Sequence, residues 1–466
     1  MALQSADEPR FATRARSGYD NYTDSGVDWL GTIPAHWKTI RLKHAVDLNP
    51  SKSEVRDLPD DREVSFVPME AIHESGGLTL ETTKELGDVI DGYTYFREGD
   101  VLAAKITPCF ENRKGALATD LDGRIGFGTT ELHVLRATEL IDRDFLYYST
   151  MSVPFREQGA AVMYGAGGQK RVPDDFIENL RWPLPPPDEQ RTIAAFLDRA
   201  TDRIDALIDN KERLVALLEE KRSALVSHVV TTGLGPDAEL QDSGVAWLGQ
   251  IPAGWDVVRL KFLADVQSGI TKGKKYDEEE ETVALPYLRV ANVQDGYLNL
   301  DEIAEIEVAV DEVNRYALRR GDVLMNEGGD FDKLGRGTVW TGEIEPCLHQ
   351  NHVFAVRPRD IESEWLAAIT LTHYAKHFFI LRSVQSTNLA SISMTSLQNL
   401  PVVVPPSDER QEVLKHVDEK TAQIDTLIER VEDGIERLRE YRTALISAAV
   451  TGEIDVRTNQ KQSTSV

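Results

Sequence analysis

Apolar residues change period along this chain, and the changes mark out its elements. Short β-branched and aromatic runs occur at VSFVPM (64–69), DVLAAKI (100–106), ELHVLRA (131–137), ALPYLRV (284–290), GTVWTG (337–342) and HVFAVR (352–357). They are separated by Gly, Asp, Asn and Pro turns, which predicts strands between turns. Helical patches fall near 142–158 and 361–382. Two longer stretches repeat in steps of three and four. The first carries Ile193, Leu197, Ile204, Leu207, Leu214, Leu218 and Leu225, and the second Val413, Val417, Ile424, Leu427, Val431, Leu438, Tyr441 and Leu445. This heptad-like spacing predicts two helices of about 40 residues, each about 60 Å long. Each begins after Pro-Pro with Asp and Glu, which suit the positive end of a helix dipole. Two such stripes most simply bury each other; packing of each on its own globular body is the alternative. Lys211, Lys221, Lys420 and Gly434 interrupt the seams. Antiparallel pairing would relate the two halves of the chain by a pseudo-two-fold axis.

The chain is internally duplicated. Residues 24–43 (DSGVDWLGTIPAHWKTIRLK) and 242–261 (DSGVAWLGQIPAGWDVVRLK) are identical at 14 of 20 positions, far beyond chance for a window holding two tryptophans. A second pair, NLRWPLPPPDEQRTIAAFLD from 179 and NLPVVVPPSDERQEVLKHVD from 399, keeps the same order, as do RSALVS (222–227) and RTALIS (442–447). Between these ends the bodies diverge. EGDVL at 98–102 echoes RGDVL at 320–324, whereas GAGGQKRVPDDF (165–176) and STNLASISMTSL (386–397) share little beyond their place in the order. Constant ends around variable middles imply one scaffold presenting two different recognition surfaces. The pattern divides the chain into a polar arm (1–20), a mixed, mostly β body (21–187), a helix (188–232), a second body (233–407), a second helix (408–455) and a polar tail (456–466). The fold class is α+β.

Composition narrows the function. The arm lacks the apolar core of a signal peptide and no apolar run suits a membrane span, so a cytoplasmic protein is expected. Two cysteines, Cys109 and Cys347, offer neither a disulfide framework nor a cysteine zinc site. A net charge of −26 lowers the expectation of nucleic-acid binding, but screening over about 8 Å lets a basic face coexist with an acidic back.

Catalytic motifs are missing. No glycine loop for S-adenosylmethionine and no Asn-Pro-Pro-Tyr-type motif occurs, and GAGGQKR lacks the spacing of a phosphate loop. Acidic pairs such as Asp60-Asp61 and Asp301-Glu302 read as exposed turn acids. His349 and His352 have no third metal ligand nearby and read as a strand-end packing pair. DNA contact needs donors: Arg and Lys for phosphates and guanine edges, Asn and Gln for adenine. Candidates in the first body are Lys105, Asn112, Arg113, Lys114, Gln169, Lys170 and Arg171. Those in the second are Lys272, Lys274, Lys275, Lys333, Arg336, Gln385 and Asn388.

The order of hook, variable body, Pro-Pro-x-Asp-Glu and long helix, repeated once, closely resembles the specificity subunit of type I restriction–modification systems. WLGTIPAHW and WLGQIPAGW, GFGTTELHVLR (126–136), PLPPPDEQRTIAAFLD and VVVPPSDERQEVLKHVD carry the resemblance, which covers about residues 20 to 455. It implies two target recognition domains, each reading half of an interrupted site in double-stranded DNA, and an antiparallel coiled coil that sets the gap. It also implies docking of a pair of modification subunits, which would use S-adenosylmethionine to methylate adenine, and of a restriction subunit using ATP and Mg²⁺. The chain itself would bind no cofactor and no metal, perform no chemistry and touch no membrane. A duplicated adaptor binding proteins through a coiled-coil spacer is the competing reading, favoured slightly by the acidic balance. A self-sufficient endonuclease is disfavoured by the missing motifs.

Overall fold

The computed structural model describes residues 18–166, 168–235, 237–277, 279–329, 334–386 and 389–457, the side chains at 385, 386 and 389 excepted. The candidates Lys333 and Asn388 lie outside the described residues, and so does most of the polar arm and tail. The chain forms two compact units. One draws on the chain up to Lys211 and from Asp433 onward, the other on Glu212–Glu432.

In the first unit, strands Val46–Leu48, Leu132–Ala137, Val101–Ala104 and Gly115–Leu117 form an antiparallel sheet in that order. Val101 to Ala104 is buried on both faces, which is why this run does not alternate with polar residues. A second sheet orders Thr83–Glu85, Glu63–Val67, Ile125–Gly128 and Thr94–Arg97, with its two central strands parallel. The second unit repeats the plan. Ala264–Ser268, Val353–Pro358, Val323–Asn326 and Gly337–Val339 form the antiparallel sheet. Ala304–Ala309, Thr282–Leu288 and Leu348–His349 form the mixed one. The bodies that diverge in sequence thus share the antiparallel sheet strand for strand, and among the described residues the mixed sheet has four strands in the first and three in the second. Helices Arg143–Met151 and Val153–Ala161, and Ser363–Thr370 and His373–Arg382, occupy corresponding places in the order.

The EGDVL and RGDVL echo proves structural. Asp100 is 1% exposed and accepts from Arg136 Nε (2.7 Å) and Nη2 (2.8 Å) and from the Arg97 amide (2.9 Å). Asp322 does the same with Arg357 Nε and Nη2, both at 2.7 Å, and the Arg319 amide at 2.8 Å. Each buried carboxylate ties the start of one strand (Val101, Val323) to its neighbour.

The long helices run Pro187–Thr232 and Ser407–Thr451. Within the first unit they pair antiparallel: Arg442 Nε meets Asp205 Oδ1 at 2.9 Å, and Lys211 lies so close to Gly434 that a Cβ there would sit 2.8 Å from Nζ. Within the second, Arg222 forms an ion pair with Asp425 (3.0 Å). The outer turns also join the body cores. Val226, Val229 and Val230 from the first helix and Val413 and Val417 from the second pack with Trp255, Trp365 and Val402.

The expected seam needs correction. Ile193, Leu197, Ile204, Val413, Val417, Ile424 and Leu445 are buried, and Leu207, Leu218, Leu225, Val431 and Leu438 half-buried. Leu214, Leu427 and Tyr441 are 43%, 47% and 45% exposed. The covered stripe passes instead through Ile208, Val215 and Arg222, and through Ile428, Ile435 and Arg442. A straight helix drifts by about 20° per heptad against a strict seven-residue repeat. Of the two expected rows, the one through Leu197, Ile204, Leu218 and Leu225, and through Val417, Ile424, Val431, Leu438 and Leu445, stays covered, while the other moves on by one residue, from Leu214 to Val215 and from Leu427 and Tyr441 to Ile428 and Arg442.

The repeated hook explains its own sequence. Asp24 Oδ1 accepts from the Gly26 amide (2.9 Å) and Asp242 Oδ1 from the Gly244 amide (3.0 Å). Trp37 Nε1 donates to Glu189 Oε1 (3.2 Å), and Trp255 Nε1 to Glu409 Oε2 (2.9 Å). Each tryptophan thereby anchors the first turn of a long helix. Gly452 (φ +82) lies against Pro34 and Trp37, and Gly233 (φ +75) against Trp255 and Glu409. Both helices end on a left-handed residue where a Cβ would be strained and crowded.

Candidate nucleic-acid interface

The surface that varies between the units is carried by one repeated piece of backbone. In the first unit the loop leaving strand Val101–Ala104 meets the hairpin Tyr164–Ala166/Gln169–Arg171. The Val172 amide donates to the Lys105 carbonyl (2.8 Å), the Thr107 amide to the Lys170 carbonyl (2.9 Å), and Ile106 bridges Arg171. In the second unit the loop leaving Val323–Asn326 meets the hairpin Val384–Ser386/Leu389–Ser391. The Ile392 amide donates to the Glu327 carbonyl (2.8 Å), and Gly328 and Gly329 pair with Ser391 and Ala390. The register is the same, so Lys105 corresponds to Glu327 and Arg171 to Ser391.

The side chains differ. Lys105 lines an open cavity of about 210 Å³ with Asn49, Lys52, Tyr93 and Tyr95. Arg171 makes two 2.8 Å bonds to Glu131. Gln169 and Lys170 are exposed at the hairpin, and Tyr164 stands out at 67% exposure. In the second unit Glu327 is held by His352 Nδ1 at 2.7 Å.

The remaining candidates separate into engaged and free. Arg113 leaves the candidate surface: with φ +62 its guanidinium turns onto the second long helix and donates to Thr443 Oγ1 (2.6 Å). Burial and the neighbouring Arg442 cation push its pKa down. Asn112 donates to Glu74 (2.9 Å), and Lys114 to the Met69 carbonyl (3.1 Å). Lys274 meets both Glu312 oxygens (2.6 and 2.5 Å), and Arg336 donates to Gln294 (3.0 Å). Lys272 and Lys275 are exposed on the loop before strand Thr282–Leu288. They lie on a different loop from the junction. The Gln385 backbone lies in the second hairpin.

Sequence reasoning missed Glu131, Glu327, His352 and Arg156. The offset of the EGDVL echo, carried on, would have set Lys105 against Glu327. His352 does not pack as expected but faces Glu327, while His349 is buried with Nδ1 2.6 Å from the Val353 carbonyl. Arg156 is wholly interior and donates to the carbonyls of Thr150 (2.7 Å) and Phe110 (3.2 Å), with Arg113 and Lys114 carbonyls at 3.5 Å. Burial pushes its pKa down to about 9. It holds the loop following Lys105 from behind.

Two sheet-rich modules with the same antiparallel strand order, each anchored to long helices and each presenting the same junction with different side chains, define a duplicated recognition protein. The type I restriction modification DNA specificity domain family matches residues 34–215 and again 252–437, and the chain belongs to this family. It is similar to the specificity subunit of type I restriction enzyme EcoEI of Escherichia coli, at 40% identity over 177 residues. That match spans 38% of this chain but only 29% of the relative, less than a third of its length. The MjaVIII specificity subunit of Methanocaldococcus jannaschii is 22% identical over 438 residues, covering 91% of this chain and 94% of that protein. A solved structure from work on complex assembly and conformational transition of the type I R-M system superposes with a TM-score of 0.67 at 21% identity. It covers 90% of this chain and 98% of its own, and shows the shared fold. Among the described residues no helix is long and apolar enough to cross a membrane.

Proposed function

We propose that this chain is the non-catalytic sequence-reading subunit of a type I restriction–modification complex. Each module reads one half of an interrupted site in double-stranded DNA, and the paired helices set the gap. The observation that carries the reading is the repeated junction, with its backbone kept and its polar side chains changed, in a chain holding two specificity domains. That pattern suits two readers of different sequences on one frame, whereas a duplicated adaptor would present the same surface twice. Modification subunits supply S-adenosylmethionine and methylate adenine, and a restriction subunit supplies ATP- and Mg²⁺-dependent cleavage. The working place is the cytoplasm, where the DNA is.

The test is the methylome of the organism that carries the chain. A bipartite adenine-methylated motif with a fixed gap is expected, and it should vanish when the chain is deleted. Replacing residues 240–400 with another body should change one half of the motif and leave the other half and the gap. A methylome without any interrupted motif, in cells where the chain is bound to a methyltransferase, overturns the reading.

A further inference from the structure

At the junction the two modules present opposite chemistry on the same backbone. In the first, the position after the strand is Lys105, and the neighbouring Glu131 is already neutralised by Arg171 through two 2.8 Å bonds. Among the described residues Lys105 Nζ has no hydrogen-bond partner, so it is a spare donor beside an exposed hairpin. In the second, the equivalent position is Glu327. The residue corresponding to Glu131 is His352: the Lys105 amide donates to the Glu131 carbonyl (2.9 Å), as the Glu327 amide does to the His352 carbonyl (2.9 Å). His352 engages one Glu327 oxygen, Oε2, at 2.7 Å. The residue corresponding to Arg171 is Ser391, which brings no charge. The second module therefore presents a carboxylate acceptor where the first presents an ammonium donor.

We infer that this position is a specificity determinant in each module: Lys105 reads acceptor edges and selects guanine, whereas Glu327 accepts from an exocyclic amino group and selects cytosine. The inference rests on the DNA-reading function proposed above. Its chemistry is that of the major groove, where guanine offers N7 and O6 as acceptors and cytosine offers its N4 amine as donor. An ammonium has no acceptor and an ionised carboxylate no donor, so neither position can serve the other's base. Gly328 and Gly329 follow Glu327 in the second loop, where Ile106 and Thr107 follow Lys105 in the first. They pair directly with the hairpin, which leaves the carboxylate as the polar side chain of that segment.

The experiment is selection of duplexes from a randomised DNA library by the full chain in the complex it forms in its host, followed by sequencing of the retained molecules. The wild-type complex is compared with those carrying Lys105→Gln or Glu327→Gln. Lys105→Gln should relax or switch a guanine position in one half-site, and Glu327→Gln a cytosine position in the other. Discrimination at that position should fall roughly 5- to 150-fold, the span expected for one base contact. The other half-site and the gap should be unchanged, which also reports that the variant is folded. Should Lys105→Gln or Glu327→Gln abolish retention, Lys105→Arg or Glu327→Asp, which keep the charge, should restore the wild-type motif. Retention of an unaltered motif by both glutamine variants overturns the inference while leaving the DNA-reading function standing. A wild-type complex that enriches no motif overturns that function, and the inference with it.

Discussion

Replacing Asp100 by Asn separates the charge of the buried ion pair from its shape. The Asp100 carboxylate is 1% exposed and the Arg136 side chain 9%. Burial alone would lower the Arg136 pKa, but the hydrogen bonds and charge of Asp100, with Glu54 nearby, raise it above its ordinary value. Asparagine keeps one acceptor but turns an amine toward the guanidinium, so one charged bond is lost and a buried cation is left under-compensated. Breaking a buried pair from one side costs about 3–5 kcal/mol. Glu54 Oε1, 2.6 Å from Arg136 Nη1 on the solvent side, keeps part of the compensation, so we expect about 2–4 kcal/mol for Asp100→Asn. For a unit of this size that is a fall in Tm of about 5–15 °C. Urea unfolding should show the loss, and hydrogen exchange should locate it in strands Val101–Ala104 and Leu132–Ala137. The double replacement Asp100→Leu with Arg136→Met should recover part of the loss, because an apolar pair needs no charge compensation, although the Arg97 amide loses its acceptor. A single-variant loss below about 1 kcal/mol, or a double variant no better than Asp100→Asn, would refute the reasoning.

Three further outcomes are expected. His133 is completely buried, and burial pushes its pKa from 6.5 down to about 4, partly opposed by Asp174. The unfolded chain therefore binds the proton more tightly; stability is full above about pH 6.5 and falls by up to about 3 kcal/mol as pH drops toward 4. Denaturation midpoints across that window should flatten in His133→Gln. On the helices, Leu214→Ser and Leu427→Ser should change stability by less than about 0.5 kcal/mol, while Ile204→Ala and Ile424→Ala should cost about 2–5 kcal/mol. Equal losses in both sets by thermal unfolding would place Leu214 and Leu427 in the seam as first expected. At the hook, Trp37→Phe should cost about 1–2 kcal/mol through the lost bond to Glu189, and Gly452→Ala more than about 1 kcal/mol through its left-handed backbone; denaturant titration checks both.

The frame was legible because it is written twice. Hook, Pro-Pro boundary and long helices recur with their residues, and the structure gives those residues repeated contacts: Trp37 to Glu189 and Trp255 to Glu409. The strand runs were legible from local periodicity. The helix register was legible in one row only, through Leu197 and Ile204 and through Val417 and Ile424, because a drift of about 20° per heptad moves the second row on by one residue. Arg113 shows why single site residues were not legible either. Its neighbours Asn112 and Lys114 leave the same loop, yet a positive φ sends Arg113 onto a helix more than 300 residues away in sequence. The junction was half visible: the echo of EGDVL carried its register, but only the hydrogen bonds of Lys105 and Glu327 identify it as one piece.

Those bonds also bear on the charge of −26. Of the candidate cations described, Arg171 is paired with Glu131 and Lys274 with Glu312. Arg113, Lys114 and Arg336 donate to neutral oxygens and are tied in place. Lys105, Lys170, Lys272 and Lys275 remain, and among the described residues none of the four has an ion-pair partner. With Lys105 engaged on a base edge, the other three give, as phosphate contacts, a slope of log K against log salt of about −2.7, a loss of roughly 40-fold between 50 and 200 mM. We therefore expect the chain alone to bind duplex DNA weakly, with a slope no steeper than about −4, and its native complex to show a steeper one as other subunits add cations. Fluorescence anisotropy over a salt series measures both. A slope beyond about −6 for the chain alone would mean that the paired arginines and lysines leave their carboxylates for phosphate, and that the division into engaged and free cations is wrong.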